Sequence, residues 1–249
     1  LVAAAVGVQA PAIMLVAFLP MLFIAAAYYY MNRADPDCGT TFTWVTRAMG
    51  PYLGWMGGWG IAVAGTIVMA NLAEIAGLYT FILFGNDDPS TFWVTVLGVL
   101  FIAAMTWICV IGIELSAATQ VGLLGAELIT LLLFAVVAIV KVYGGDAGPD
   151  AIKPTFEWFN PFAIDSISAL VNGVVIAVFI YWGWDSTVTV NEESTDSATT
   201  PGKAAVLATI ILVLIYVIVS VAAQAYNGPA ALADKDDALS ELATSVFGS

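Results

Sequence analysis

Six long runs of apolar residues constrain this chain more than any other feature of its sequence. They cover about residues 8–31, 52–84, 92–113, 119–143, 164–190 and 204–226. A helix needs about 20 predominantly apolar residues to cross the hydrocarbon core of a bilayer. No strand-like alternation competes with this pattern, and a helix satisfies its own backbone polar groups in lipid. The sequence therefore predicts an all-α integral membrane protein with about six transmembrane helices.

The composition agrees with lipid as the main solvent of the chain. Of its 249 residues, 61% are hydrophobic and only 10% are charged, whereas about 25% of the residues of a soluble domain are charged. Too few polar residues remain to build the outer shell of a soluble core of this length. We therefore expect residues 1–249 to form a single transmembrane domain.

The rarer residue types exclude several classes of function. The chain has no histidine and two cysteines, Cys38 in a predicted loop and Cys109 in an apolar run. These counts predict no disulfide framework, zinc site or histidine-ligated haem, and no clustered catalytic set is visible. The net charge of −13 argues against a nucleic acid partner. We expect neither an enzyme nor a bound cofactor or metal.

The connections between the apolar runs alternate between two faces of the membrane. One face carries loops 32–50, 112–118 and 191–203, and the other carries loops 85–90, 144–161 and 227–249. Each face has three lysines or arginines, so the positive-inside rule does not orient the chain. Residues 227–249 are expected to form a polar loop with a short surface helix, because an apolar stripe runs through Leu239, Leu242 and Val246.

Two stretches resemble signatures of the amino acid–polyamine–organocation superfamily of permeases. The first is PDCGTTFTWVTRAMGPYLGWMGGW, residues 36–59, which resembles the family's loop between its second and third helices. The second is FIYWGWDSTVTVNEESTDSATTPGKA, residues 179–204, which resembles the family's broken sixth helix and the loop that follows.

This resemblance implies that the six segments are helices two to seven of a twelve-helix transporter. The fold would be part of the LeuT-type inverted repeat, with one helix broken. Loops 32–50 and 191–203 would be cytoplasmic, and 227–249 extracellular. The implied function is secondary active transport of amino acids or related amines across the plasma membrane by alternating access, as an exchanger or coupled to H⁺ or Na⁺. The alternatives are a channel-like membrane protein, although no selectivity filter is visible, and a fragment that transports nothing by itself.

The fifth segment carries the strongest candidate for a substrate site, at the sequence YWGWD, residues 181–185. A glycine inside a helix costs about 1 kcal/mol relative to alanine, so we expect the helix to break near Gly183. Unwound backbone offers N–H and C=O groups that hold an amino acid at the bilayer midplane. The alternative is an ordinary helix with an aromatic belt at the membrane interface. The resemblance implies that the substrate is lined by Phe179, Ile180, Tyr181, Trp182 and Gly183.

Two carboxylates in predicted membrane segments are candidates for coupling or gating. A carboxylate at the centre of a membrane helix costs roughly 2.5–3.5 kcal/mol on the most lenient scale, so it usually faces a cavity or a partner. Asp185 would couple substrate charge or a proton to gating, or would cap the helix that follows it. Glu127 lies where several family members carry a charged residue, which suits proton coupling. Its alternative role is a hydrogen bond between helices.

The second segment supplies one further substrate contact by resemblance. The third family helix passes the substrate, and Thr66 is the predicted contact. It recurs at helical spacing with Ala62 and Ala70, and such small residues also allow close helix packing. Asn71 and Glu74 lie three residues apart and share one helical face.

Overall fold

The structure of the chain, a computed structural model, describes residues 2–86, 88–233, 243, 245 and 246. These residues form helices and turns without a strand, which confirms the expected all-α class. The α-helices are α1 (Val2–Val6), α2 (Ala10–Ala34), α3 (Thr41–Met49), α4 (Pro51–Leu83), α5 (Thr91–Ile111), α6 (Ile113–Gly144), α7 (Ile167–Ile180), α8 (Ser186–Thr189) and α9 (Thr200–Ala233). Short 3₁₀ helices occupy Gly7–Gln9, Phe156–Phe159, Pro161–Ala163 and Asn191–Glu193.

Five helical stretches in the described residues are long and apolar enough to cross a membrane. They are Val2–Ala34, Pro51–Leu83, Thr91–Ile111, Glu114–Gly144 and Thr200–Ala230. The remaining apolar segment, predicted at 164–190, contains only the 14-residue helix α7 before a turn at residues 181–185. This segment is the broken helix of the fold, and the interruption explains why it is too short to count as a continuous span.

Helix α9 differs from its sequence-based limits at both ends. The apolar run predicts 204–226, whereas the helix covers Thr200–Ala233. Gly228 has φ 72° and is followed by Pro229, so the chain changes direction there and continues as helix. Proline is well suited to the first turn of a helix because it lacks an N–H and has a fixed φ. The predicted surface helix after residue 227 lies mostly outside the described residues, including Leu239 and Leu242.

The described residues fall into two compact units. The first comprises residues 1–38 and 126–249, and the second comprises residues 39–125. In the second unit, α3 packs on α4 and α4 packs on α5. Glycines allow the close approach of α4 and α5, because a Cβ at Gly77 would lie 2.7 Å from the Val94 carbonyl oxygen. A Cβ at Gly98 would likewise lie 2.9 Å from the Ala73 carbonyl oxygen.

In the first unit, α9 packs along α2, and α7 packs on α1 and α2. Several of the residues at the centre of this packing are alanines with no exposed surface, including Ala17 in α2, Ala177 in α7 and Ala205 in α9. Small side chains let helices approach closely, which is the main source of packing energy in a membrane. The packing of α2, α7 and α9 fixes the position of the break that follows α7.

Candidate functional site

The turn between α7 and α8 interrupts a helix inside an apolar segment. Helix α7 ends at Ile180, residues 181–185 form turns, and α8 begins at Ser186. Gly183 has φ 105°, a backbone conformation that side-chain-bearing residues rarely adopt. The glycine therefore permits the chain to leave the helix and re-enter it within five residues.

The backbone groups at this turn are only partly satisfied. The Ile180 carbonyl accepts a hydrogen bond from the Tyr216 hydroxyl at 3.0 Å, and the Gly183 carbonyl accepts one from the Ser186 hydroxyl at 2.6 Å. By contrast, the N–H groups of Gly183, Trp184 and Asp185 donate to no acceptor within the described part of the chain. Unpaired backbone N–H groups such as these can donate hydrogen bonds to an anionic group.

A cleft of about 420 Å³ lies beside this turn. Its volume falls in the range of about 300–1,000 Å³ that small-molecule sites occupy. Its walls are almost entirely apolar, and they come from α2, α7 and the turn itself. The residues that define it are Met21, Tyr28, Phe179, Trp182, Trp184 and Asp185, together with two valines of α7.

Asp185 contributes the carboxylate of this cleft. It precedes α8 at the N-cap position, but its side chain makes no capping hydrogen bond. The hydroxyls that follow it bond elsewhere, since Thr187 donates to the Trp184 carbonyl at 3.0 Å and to the Pro201 carbonyl at 3.2 Å. Within the described residues, therefore, the half-buried carboxylate is left without a hydrogen-bond partner and adjoins the cleft.

Aromatic rings form the rest of the wall. Tyr28 meets Trp184 edge to face with ring centroids 5.2 Å apart, and Phe179 meets Trp182 at 6.3 Å. Phe179 is 63% exposed and Trp182 is 41% exposed, so both rings present open faces. Such rings attract a cation placed over them when it lies within about 6 Å of the centroid.

Two other residues that were predicted to line the substrate, Tyr181 and Ile180, do not line this cleft. Tyr181 is fully buried, and its hydroxyl donates to the Met14 carbonyl at 3.0 Å. Ile180 contributes its carbonyl to Tyr216 and does not line the cleft. The structure therefore brings Phe179, Trp182 and Asp185 to the cleft and uses Tyr181 to tie the end of α7 to α2.

Glu127 and Thr66 lie in different units of the chain. Glu127 is an exposed residue of α6 in the first unit. Thr66 belongs to the second unit, where its hydroxyl donates to the Ala62 carbonyl of its own helix at 2.8 Å. In that unit Asn71 and Glu74 line a separate cleft of about 370 Å³.

The sequence alone did not predict four of the cleft residues, Met21, Tyr28, Val175 and Val178. The triple YYY at 28–30 is a visible signal, because three consecutive aromatics at the end of an apolar run are unusual. Their pairing with the turn is not visible, since Tyr28 and Trp184 are more than 150 positions apart.

A small cluster of acidic residues and a cysteine lies where the loop after α2 contacts the segment after α8. Asp37, Cys38 and Glu192 bring their ligand-type atoms within 4.8 Å of one another. The Cys38 N–H donates to the Glu192 carboxylate at 3.1 Å. Hydrogen bonding to Glu192 raises the pKa of the Cys38 thiol, with smaller contributions from burial and from the carboxylate charges. A neutral thiol is a poor metal ligand, so the cluster is best described as a contact between loops.

Comparison with known proteins places the whole chain in one family. A family model described as amino acid permease matches residues 1–249. The chain is 22% identical over 234 residues to an arginine/ornithine antiporter of Lactococcus lactis, which is 86% of this chain and 46% of that protein. It is 27% identical over 233 residues to an uncharacterized transporter of Mycobacterium tuberculosis, which is 88% of this chain and 48% of that protein.

A second antiporter relative has the same relation to the chain. The arginine/ornithine antiporter of Latilactobacillus sakei is 24% identical over 215 residues, which is 83% of this chain and 43% of that protein. The chain thus spans about half the length of the curated relatives it matches. The match to the family model along the full chain, the membrane helices and the broken helix agree with the resemblance and with a multi-pass plasma membrane protein. The chain belongs to the amino acid permease family of the amino acid–polyamine–organocation superfamily.

Proposed function

We propose that the protein containing this chain is a secondary active transporter of cationic amino acids, which are held at the turn between α7 and α8. The observation that carries this proposal is the cleft of about 420 Å³ that combines aromatic walls with the carboxylate of Asp185. The two relatives named arginine/ornithine antiporters support the same substrate class.

The carboxylate gives the cleft its charge preference. Burying an unpaired carboxylate in a membrane segment is costly, and the side chain of Asp185 bonds to nothing in the described residues. An ammonium or guanidinium group of a substrate would offset that cost. The rings of Tyr28 and Trp182 would cover the aliphatic part of the same side chain and add a cation–π contribution.

The backbone of the turn supplies the complementary charge preference. The free N–H groups of residues 183–185 would donate hydrogen bonds to the α-carboxylate of the substrate. An amino acid crossing lipid needs both of its charges satisfied by fixed groups and then released on the other side. A turn that offers N–H donors and a carboxylate meets this need for a basic amino acid.

Coupling would run through α6. Glu127 is a carboxylate in a membrane helix of the unit that also contains the turn. A carboxylate in a membrane segment is less costly when it is protonated, so binding and release of a proton by Glu127 would accompany the transport cycle of a proton-coupled exchanger.

Counterflow in proteoliposomes that contain the full-length protein tests the proposal. Vesicles are preloaded with unlabelled ornithine, and labelled arginine is added outside. We expect internal ornithine to accelerate arginine entry, internal leucine to have little effect, and an imposed proton gradient to change the rate. A channel would show no acceleration by internal substrate. Equal stimulation by leucine would contradict the cationic preference, and no stimulation by any amino acid would contradict the transporter itself.

A further inference from the structure

A buried pair of asparagine side chains joins the C-terminal end of α2 to the segment after α8. Asn32 and Asn191 have no exposed surface, and the Asn191 amide donates to the Asn32 carbonyl oxygen at 2.7 Å. The Asn32 amide donates to the backbone carbonyls of Ser197 at 2.8 Å and Ala198 at 3.2 Å. The Asn32 side chain thus contacts Asn191, 159 positions away in sequence, and also the backbone just before α9.

Further contacts enlarge this attachment. The Cys38 N–H donates to Glu192, the neighbour of Asn191, at 3.1 Å. At the start of α9, a Cβ added to Gly202 would lie 2.9 Å from the Tyr29 Cα, so the two helices touch there. The whole segment from α8 to the start of α9 is therefore fastened to the last turns of α2, close to Tyr28 of the cleft.

The asparagine pair is incomplete in one respect. The Asn191 side-chain oxygen is buried and accepts no hydrogen bond from any described residue. A buried acceptor without a donor weakens the folded arrangement relative to one in which the acceptor is satisfied. The attachment is thus specific in its three hydrogen bonds but is weakened by its own unsatisfied oxygen.

We propose that Asn32 and Asn191 are positioning residues that hold the second half of the broken helix closed against α2 and let it open at low cost. This inference rests on the proposed function, because α8 follows the turn that binds substrate. Since the turn at 181–185 separates α7 from α8, the segment after the turn moves without disturbing α7. Opening exposes the unsatisfied oxygen of Asn191 to water, which compensates for the hydrogen bonds lost.

The accessibility of the cleft tests this idea without using a substrate. In the full-length protein, Cys38→Ser and Cys109→Ser remove these two thiols, and Val175→Cys places a reporter in the cleft wall, where Val175 is 65% exposed. Cys38→Ser keeps the backbone N–H that contacts Glu192. A membrane-impermeant maleimide is then added from each side. We expect Asn32→Ala and Asn191→Ala to speed labelling severalfold from the side that carries loop 191–203.

Gln224→Ala is the matched control. Gln224 is also a buried amide with an unpartnered oxygen, and it donates to Ser220 within its own helix at 3.1 Å. Its loss should leave the labelling rate unchanged. If the asparagine variants label at the parental rate, or if Gln224→Ala speeds labelling equally, the inference is wrong.

A second measurement covers variants that fail to reach the membrane. Asn32→Cys and Asn191→Cys introduce two thiols, which copper phenanthroline oxidises to a disulfide. We expect the joined protein to label slowly at the reporter and to recover its rate on reduction; an unchanged rate would overturn the inference. The labelling rates test the role of Asn32 and Asn191 even if counterflow fails. Failure of this inference and failure of the transporter proposal are therefore distinguishable.

Discussion

At the residue scale, the proposed charge selectivity depends on Asp185. Its position before α8 would suit a helix cap, yet the short α8 leaves its side chain without a capping bond. The same side chain adjoins a cleft whose other walls are apolar or aromatic. We expect this single carboxylate to determine which ligand charge is accepted, because no other charged side chain among the described residues lines the cleft.

Replacing Asp185 with asparagine should weaken binding of arginine and ornithine by about 10- to 100-fold, since a charged hydrogen bond is worth about 1.5–3 kcal/mol. Asparagine has nearly the same size as aspartate, so only the charge is removed. The affinity is measured by scintillation-proximity binding with labelled arginine. Asp196→Asn serves as the control because Asp196 lies in the exposed loop, where hydrogen bonds from Thr199 lower the pKa of its carboxyl group. Equal loss of affinity in both variants would contradict the role of Asp185.

The Cys38 thiol offers a pH-dependent test of the loop contact. Glu192 raises the pKa of this thiol, so the contact favours the neutral form. Glu192→Gln removes the carboxylate, lowers the pKa toward its ordinary value and increases the thiolate fraction at pH 8. With Cys109→Ser, we expect Cys38 to react severalfold faster with iodoacetamide and its pH profile to shift to lower pH. Glu193→Gln should have little effect, and identical rates in all three proteins would refute the contact.

At the element scale, glycines divide into those that allow close helix contact and those that allow a break. Gly77 and Gly98 sit where α4 and α5 touch, and a methyl group at either would press on the backbone of the other helix. Gly65 in α4 has open space around it. Gly183 also has open space, but its φ of 105° excludes ordinary side chains. Substituting a glycine is therefore expected to cause a steric clash at Gly77 or Gly98, backbone strain at Gly183, and neither at Gly65.

For the contact between α4 and α5, Gly98→Ala should lower the free energy of unfolding by about 1–3 kcal/mol, as overpacking does. Gly65→Ala makes the same chemical change in open space and should raise it by up to about 1 kcal/mol through helix propensity. Unfolding of the detergent-solubilised protein, followed by circular dichroism, measures both. A stabilising Gly98→Ala would mean that α4 and α5 do not approach as described.

For the break, Gly183→Val should reduce uptake more than 10-fold while membrane insertion stays normal. The added side chain meets no neighbour within 4 Å, so the cost is that of the backbone conformation, about 1–3 kcal/mol. Gly122→Val in α6 is the control because that glycine also has open space and an ordinary helical backbone. Uptake assays with quantified surface expression separate the two effects. Parental transport by Gly183→Val would remove the turn from the mechanism.

At the scale of the whole molecule, local sequence patterns predict the helices better than the contacts between them. Apolar runs identify helices because the bilayer sets their length. Gly183 followed by Asp185, together with the resemblance to the family's broken sixth helix, predicted a break. Which face of α7 reaches the cleft was not predictable, because the turn ends the helical periodicity just before Tyr181 and Trp182. The contacts of Tyr28 with Trp184 and of Asn32 with Asn191 join residues far apart in sequence. A single sequence carries no local signal for such contacts.

The proposed proton coupling is also tested at the scale of the whole molecule. We expect Glu127→Gln to make uptake independent of an imposed pH gradient, because the neutral amide cannot bind and release a proton as a carboxylate does. Uptake of labelled arginine at a series of external pH values measures this. Glu74→Gln is the control, since Glu74 lines the other cleft in the second unit. An unchanged pH profile in Glu127→Gln would rule out its part in proton coupling.

The most direct measurement is an experimental structure of the full-length protein with bound arginine. We predict an open backbone at residues 181–185, with the ligand carboxylate on the N–H groups of that turn. The guanidinium group of the ligand should lie within about 4 Å of Asp185, the distance at which ion pairs form. A continuous, fully hydrogen-bonded helix through Gly183, or arginine bound away from this cleft, would contradict it.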